Sequence, residues 1–600
     1  MQSPERAPEL EEQRATASAT CLAGWRRGPR ARGVAALVVV VLASPPLGCS
    51  SSGDGAGTAR AFRVVTVDPA TAPPVQLAVQ ACAGLYNRSH GGSVYTRMSE
   101  KDSRWLDDLG LVPDETVDVG PFLDACLADF PRCVRYSYAD QQTLVPNVLT
   151  VGAALEAVPL DESMDVACQD VAFDARVEFR DRSTPYEATR YVYERYVDDT
   201  TGLAMLNPGY DSSAPEVWAP PVTRDINAAL VDFVFSQKLF VVFLVNGCIA
   251  PTDEHALLEQ IASSNPWPKP IGVYGYADSW LVFGGYLFEA QTSCVASRNM
   301  GAIPTNVNNL SFFSSRRRPI TDPGALERNP PEEIAYDPTH TYVAFVVGDG
   351  DNVQYILDAR SQWLRDRLVE CERDRRLCAP ITWSISPHLA RLAPDVLEWY
   401  FARTRETGHD YFMLPPSGYL YSYPSSLNDG VQDEFIEATE AAATILGTAS
   451  TVHWEWFTSW QTAEGSFLPK YARNGVIRGI FPVNVPYMFP TFTGWKANQT
   501  VKVLAGADGG AVALFRPREW RGVDGSGSGI VAPFYLRPED MAKELAGYPR
   551  GTVAYVYMTS DGGLNLANSL SAMIPDLPEH VRLVSGDTAA RLALEAAGAG

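Results

Sequence analysis

Residues 349–352 read Asp-Gly-Asp-Asn and follow a run of β-favouring apolar residues, 342–347, closed by Gly348; a helix-like segment comes straight after, in YVAFVVGDGDNVQYIL. With one glycine between them, Asp349 and Asp351 project to the same side if the backbone stays extended. Two carboxylates in that position can serve as general acid, general base or nucleophile, or can ligate a divalent cation through oxygen. The bland alternative is a strand-to-helix turn in which an acidic side chain caps the helix and glycine relieves the bend.

A second group stands in TVHWEWFTSW, residues 451–460. Strand alternation puts His453 and Glu455 on one face and Trp454 and Trp456 on the other. A carboxyl flanked by indoles loses water, which raises its pKa and suits a general acid. Trp454, Trp456 and Trp460 also offer flat apolar faces, unless the cluster is simply core with Glu455 in a salt bridge. SGYLYSYP, residues 417–424, spaces Tyr419, Tyr421 and Tyr423 by two, and phenols suit a ring with polar edges. His388, in SISPHL, is a lone base or ligand, or a histidine at a helix start. Asn352, Asn484 and Asp561 complete the polar set, Asp561 in MTSDGG echoing the first motif.

These residues need a scaffold that gathers them. From residue 331 onwards, short β-like runs alternate with helical stretches: 342–347, 380–386, 410–414, 451–457, 479–484, 511–516 and 552–558. Strands alternating with helices imply a parallel sheet, and this number of units points to a (β/α) barrel, complete or distorted. The polar residues all fall at or just past the C-terminal ends of the runs. In such barrels that end carries the chemistry. Upstream, 74–88 and 144–160 have helical or buried apolar spacing, while 93–98 and 238–247 read as strands.

The fold class expected is therefore α/β: small N-terminal α/β subdomains (62–140, 141–240 and 241–330), then a barrel-like domain over 331–600. Residues 315–333, basic and proline-rich, read as a linker. The formal net charge of -22 argues against nucleic acid as a partner. Arg26, Arg27, Arg30 and Arg32 precede a short apolar run at 34–43 and then PPLGCSSSGDGAG, the pattern of an export signal over 1–48. Cys49 stands at the lipidation position of a bacterial lipobox-like segment, with 49–61 as a flexible tether. The expected location is exported, anchored to a membrane only through that lipid, or otherwise secreted. Eight further cysteines favour disulfides. Cys126/Cys133 and Cys371/Cys378 are close enough to pair locally; the other four allow several pairings. No CxxC, HExxH, G-x-S-x-G or Walker pattern occurs.

The segments LAVQACAGLYNR, VPNVLTVGAALEAVPL, NNLSF, FVVGDGDNVQY and SGYLYSYP together resemble the GxGYxYP family of putative glycoside hydrolases. The name-giving motif departs from the pattern, with Pro416 for its first glycine and Ser422 for its final proline, while Gly418, Tyr419 and Tyr421 match. The resemblance implies carbohydrate processing and transfers no catalytic residues. Three readings follow. The first is a glycoside hydrolase needing no cofactor, with Asp349 or Asp351 and Glu455 as the carboxylate pair. In it Asn352, Tyr419, Tyr421, Trp454, Trp456, Asn484 and Asp561 bind an oligo- or polysaccharide. The second is a deacetylase with a divalent metal on Asp349, Asp351 and His388. The third is a glycan-binding lipoprotein without catalysis.

Overall fold

The computed structural model describes residues 61–206, 228–244, 246–275, 287–456, 459–483, 495–496, 498–522, 534–559 and 566–598. Cys49, Asn484 and Asp561 lie outside the described residues, as do the leader and nearly all of the tether. Strands of four or five residues build three small parallel sheets in the N-terminal half. Strands β1 (Arg63–Thr66), β2 (Val94–Arg97) and β3 (Glu115–Asp118) pair in the order β2-β1-β3. Strands β4 (Arg132–Tyr136), β5 (Val158–Asp161) and β6 (Asp170–Asp174) follow in the order β5-β4-β6. Strands β7 (Gly202–Met205), β8 (Leu239–Val242), β9 (Ile271–Tyr274) and β10 (Met300–Ile303) run β10-β9-β7-β8. The helix Pro73–His90 opens on prolines, whose missing N–H costs nothing there, and stops at Gly91 in the left-handed region (φ 69°).

A buried polar seam ties the first of these sheets to the third. Asn309 Oδ1 accepts from the Thr96 N–H (2.6 Å) and hydroxyl (2.9 Å), and Asn87 Nδ2 donates to Ser311 Oγ (2.7 Å). Ser311 in turn donates to the buried Asp232, whose carboxyl is pushed up to about 6 by burial. The NNLSF segment therefore works as an internal fastener.

Four disulfides join Cys82–Cys126, Cys133–Cys168, Cys248–Cys294 and Cys371–Cys378. The expected Cys371–Cys378 pair is present. The local Cys126–Cys133 pair is not: the helix Val119–Asp129 turns Cys126 onto the helix Pro73–His90, whereas Cys133 sits on β4 of the next sheet. Such bonds are those of an oxidising compartment, as for an exported protein. Among the described residues no helix is long and apolar enough to cross a membrane.

The C-terminal half forms the site's scaffold. Its strands are β11 (Thr341–Val347), β12 (Ile381–Ser384), β13 (Asp410–Met413), β14 (Ser450–His453), β15 (Gly479–Pro482), β16 (Val501–Ala505), β17 (Ala511–Phe515), β18 (Glu519–Trp520), β19 (Val553–Met558) and β20 (Val581–Val584). Hydrogen bonding runs β18-β19-β11-β12-β13, then β14-β15-β17, all parallel, with β16 antiparallel on the outer edge. Leu414, just past β13, bridges Thr451 of β14 and joins the two sheets. β20 pairs with the N-terminal half of β11, and β12 with its C-terminal end.

Side chains show that this surface curls. Tyr342, Ala344 and Val346 of β11 share one core with Met413, Val452, Phe481, Phe515, Tyr555 and Tyr557. The alternating Val343, Phe345 and Val347 join an outer core beneath the covering helices. Phe481 stacks on Phe515 (4.4 Å between centroids) and meets Tyr555 edge-on (5.1 Å), so aromatic rings span the interior from β15 and β17 to β19. The helix Gly586–Ala596 contacts β11, β13, β14, β15, β17 and β19. It fills the N-terminal ends of the strands, where Asp587 accepts from the Ala449 N–H (3.1 Å). The domain is barrel-like and open: among the described residues β17 and β18 are not paired.

Candidate active site

Strand β11 is buried along its whole length and delivers the chain to Gly348 at the C-terminal end of the sheet. Both glycines of the motif are sterically required. A Cβ on Gly348 would lie 2.3 Å from the Tyr557 ring, and one on Gly350 would lie 1.9 Å from the Ser384 carbonyl oxygen. The Gly350 N–H donates to Ser384 Oγ (3.0 Å), which donates to the Val347 carbonyl (2.7 Å). Asp349 takes the left-handed conformation (φ 57°), and its N–H donates to Tyr557 Oη (3.1 Å). Asn352 then caps the next helical turn, its Oδ1 accepting from the Gln354 and Tyr355 N–H groups. The helix cap is therefore Asn352, where the bland reading had an acidic side chain.

The two carboxylates have opposite surroundings. Asp349 is ion-paired with Arg360 (Oδ2–Nη2 3.0 Å), and a third of its side chain is exposed. Arg360 reaches back from the π-helical turn Ile356–Arg360, donates from Nε to the Gly348 carbonyl (3.1 Å) and lies over the Trp363 ring. π-turns recur at functional sites. Asp351 is buried, and burial pushes its carboxyl up to about 8; the neighbouring charge of Asp349 adds to the rise, while its own amide and Arg360 oppose it. One acid that keeps its proton at neutral pH thus stands next to one held in an ion pair, an arrangement suited to splitting acid and electrostatic roles.

The other predicted groups fall in two places. Val452 and Trp454 face the interior, where Trp454 lies 5.9 Å from Tyr421 and Trp456 lies 5.9 Å from Tyr423, ring to ring. Tyr421 and Trp454 are buried, and Tyr419 and Trp456 half-buried. The Tyr421 backbone pairs with Ala302, so the tyrosine loop is bonded to the edge of the third N-terminal sheet. His388 is buried beside Tyr419, its Nε2 2.7 Å from the Tyr419 carbonyl; loss of water pulls its pKa down to about 4.

Glu455 is paired in the core, as the salt-bridge alternative for this cluster had it. Alternation is as predicted, with His453 and Glu455 opposite the indoles, but the indole face is the one that looks inward. The His453 ring packs on Phe467 and Trp460 in the outer layer. The Glu455 side chain is wholly buried, accepting from the Ser425 N–H (2.9 Å), Ser425 Oγ (2.6 Å) and Ser459 Oγ (2.9 Å), with His453 Nε2 at 3.2 Å. These bonds tie the Ser425 loop and Ser459 to the end of β14. Among the described residues no group of three His, Cys, Asp or Glu side chains is placed to hold an ion, the set Asp349, Asp351 and His388 included. Arg360, Ser384 and Tyr557 were missed in the sequence. Arg360 lay in a helical stretch where any arginine reads as surface, and only the inward register of β19 marks Tyr557.

Residues 339–494 match the family model "GxGYxYP putative glycoside hydrolase C-terminal domain". The expected resemblance holds over that segment, which spans the Asp349–Asn352 turn and the tyrosine loop. A solved structure from Bacteroides thetaiotaomicron VPI-5482, described as a putative hydrolase, shares the fold with a TM-score of 0.66 and 19% identity over 89% of this chain and 95% of that one. A 4-alpha-glucanotransferase from Thermococcus litoralis (TM-score 0.30, 13% identity, 42% of this chain and 40% of that one) does not indicate a common fold. The same is true of a putative polysaccharide deacetylase from Mycobacterium smegmatis (TM-score 0.27, 16% identity, 46% and 95%). No curated protein matches the chain.

Proposed function

We propose that this chain is an exported carbohydrate-processing hydrolase that cleaves O-glycosidic bonds of an oligo- or polysaccharide, with Asp351 as general acid. The observation that carries the reading is the buried Asp351 carboxyl, pushed up to about 8 beside the Asp349–Arg360 ion pair, at the C-terminal end of the central strand of a barrel-like sheet. Asp351 gives its proton to the leaving oxygen. Asp349 carries negative charge toward the oxocarbenium-like transition state. Tyr419 and Trp456, which keep partly open faces, stack on sugar rings, and Tyr421 and Trp454 support them. Cys49 is the site of an N-terminal lipid anchor.

The test is mass spectrometry of mixed bacterial and plant polysaccharides incubated with the mature chain, beside Asp351→Asn. Shorter oligosaccharides from the wild type alone support the reading. Loss of acetyl mass without shortening, or equal shortening by the variant, contradicts it.

A further inference from the structure

Asp349 takes a left-handed backbone (φ 57°), a conformation that any residue with a Cβ resists and that its surroundings must hold in place. Arg360 grips it from both sides. Its Nε donates to the Gly348 carbonyl just before Asp349 (3.1 Å), and its Nη2 donates to the Asp349 carboxylate (3.0 Å). Two bonds from one rigid planar fork fix the carbonyl and the carboxylate relative to each other, which a lysine ammonium on a flexible stem does not do. The fork is itself held. Residue 360 closes the π-turn Ile356–Arg360, whose wider ring re-aims it from where a regular helix would leave it. The Trp363 ring covers the guanidinium at 4.3 Å, and the Tyr400 hydroxyl donates to the Ile356 carbonyl at the start of that turn.

The Arg360 side chain is 3% exposed, and its Nη1 is buried without a hydrogen-bond partner among the described residues. A buried cation with one donor left unpaired is a poor choice for packing, where an apolar side chain of similar volume serves better. Its value lies in what it does to the carboxylates.

We propose that Arg360 is the positioning residue of this site: it locks the turn from Gly348 to Asp351, keeps Asp349 in place as a negative charge and loosens the hold of Asp351 on its proton. The proposal rests on the hydrolase reading above for the reaction that this proton serves. The titratable groups facing Asp351 are Asp349 and Arg360 from its own segment and Tyr557 from β19; those facing Arg360 are the two aspartates and Tyr400. Burial and the Asp349 charge tighten the hold of Asp351 on its proton, and Arg360 partly offsets them. A general acid that holds its proton too tightly transfers it poorly, so the cation keeps Asp351 within a useful range.

The experiment is a carbon NMR titration of the full mature chain with ¹³C at the aspartate carboxyls, Asp351→Asn assigning the Asp351 resonance, beside the pH profile of polysaccharide hydrolysis. In the wild type that resonance should titrate near pH 8. Arg360→Gln should move the midpoint up by about one pH unit, and the basic limb of hydrolysis should move with it. Arg360→Lys keeps the charge and loses the fork: its midpoint should stay within about half a unit of wild type, while kcat falls about 100-fold with KM changed less than about threefold. A merely structural arginine would lower stability in both variants and leave the midpoint where it is. Should Arg360→Gln not fold, the comparison is made in the Asp349→Asn background, where no carboxylate is left without its cation; removing Arg360 should again raise the midpoint. An unchanged midpoint on loss of the cation overturns the proposal, as does full activity in Arg360→Lys. A wild type that shortens no polysaccharide defeats the hydrolase reading, and the titration still decides what Arg360 does to Asp351.

Discussion

Keeping a proton on Asp351 has a consequence for stability that can be measured without any substrate. In the folded chain the carboxyl stays protonated up to about pH 8, whereas in the unfolded chain it ionises near pH 4. Between those values the unfolded state binds fewer protons, so this group makes stability fall as pH rises, by at most about 5 kcal/mol at about 1.4 kcal/mol per unit. The groups facing it are Asp349, Arg360 and Tyr557, and none is altered by Asp351→Asn. That variant is expected to melt several degrees higher than wild type at pH 8 and at the same temperature near pH 4; identical melting at both would contradict the burial argument. Gly350→Ala should act in the opposite sense, since its Cβ meets the Ser384 backbone at 1.9 Å. A loss of at least about 3 kcal/mol in a urea titration is expected. The Asp-Gly-Asp motif was legible because it breaks an apolar run. The partners that set its chemistry were not, because Arg360 and Tyr557 lie 11 and 208 residues from Asp349 and carry no local signature.

Elements explain why one predicted carboxylate is an anchor. Period-two alternation in β14 was readable, but which face looks into the barrel depends on the strand's neighbours, and a strand with aromatics on both sides does not say. Glu455 fell on the helix-covered side, where Ser425 and Ser459 take its oxygens. Glu455→Gln is therefore expected to cost about 3 kcal/mol of stability, read as a lowered urea midpoint, with the pH dependence of activity unchanged. A shifted pH profile at unaltered stability would restore Glu455 to the chemistry. The main strand runs were legible as short apolar segments between helical ones. Strand β18, at two residues, is too short to show periodicity.

At the scale of the molecule the N-terminal sheets are part of the site's support. The Val353 N–H donates to the Pro304 carbonyl (2.9 Å), Ala302 pairs with Tyr421, and Trp105 donates to the Leu357 carbonyl (2.8 Å). Lys101 bonds Asp358 (2.9 Å), and Arg365 bonds Asp108. A fragment of residues 331–600 is expected to show no cooperative melting transition in calorimetry, whereas the full mature chain should; a fragment that melts like the full chain would show the halves to be independent. Barrel-like curvature was foreseeable from the alternation of elements, but the open seam at β17 and β18 depends on pairings between distant segments. The central claim is that a proton held by Asp351 drives glycosidic cleavage. The most direct measurement is the pH dependence of the hydrolysis rate for wild type and Asp351→Asn on a polysaccharide that the wild type shortens. The account predicts a rate that falls through a midpoint near pH 8 in the wild type, and at least a 100-fold loss at every pH in a folded Asp351→Asn. A basic limb that persists unchanged in Asp351→Asn would contradict it.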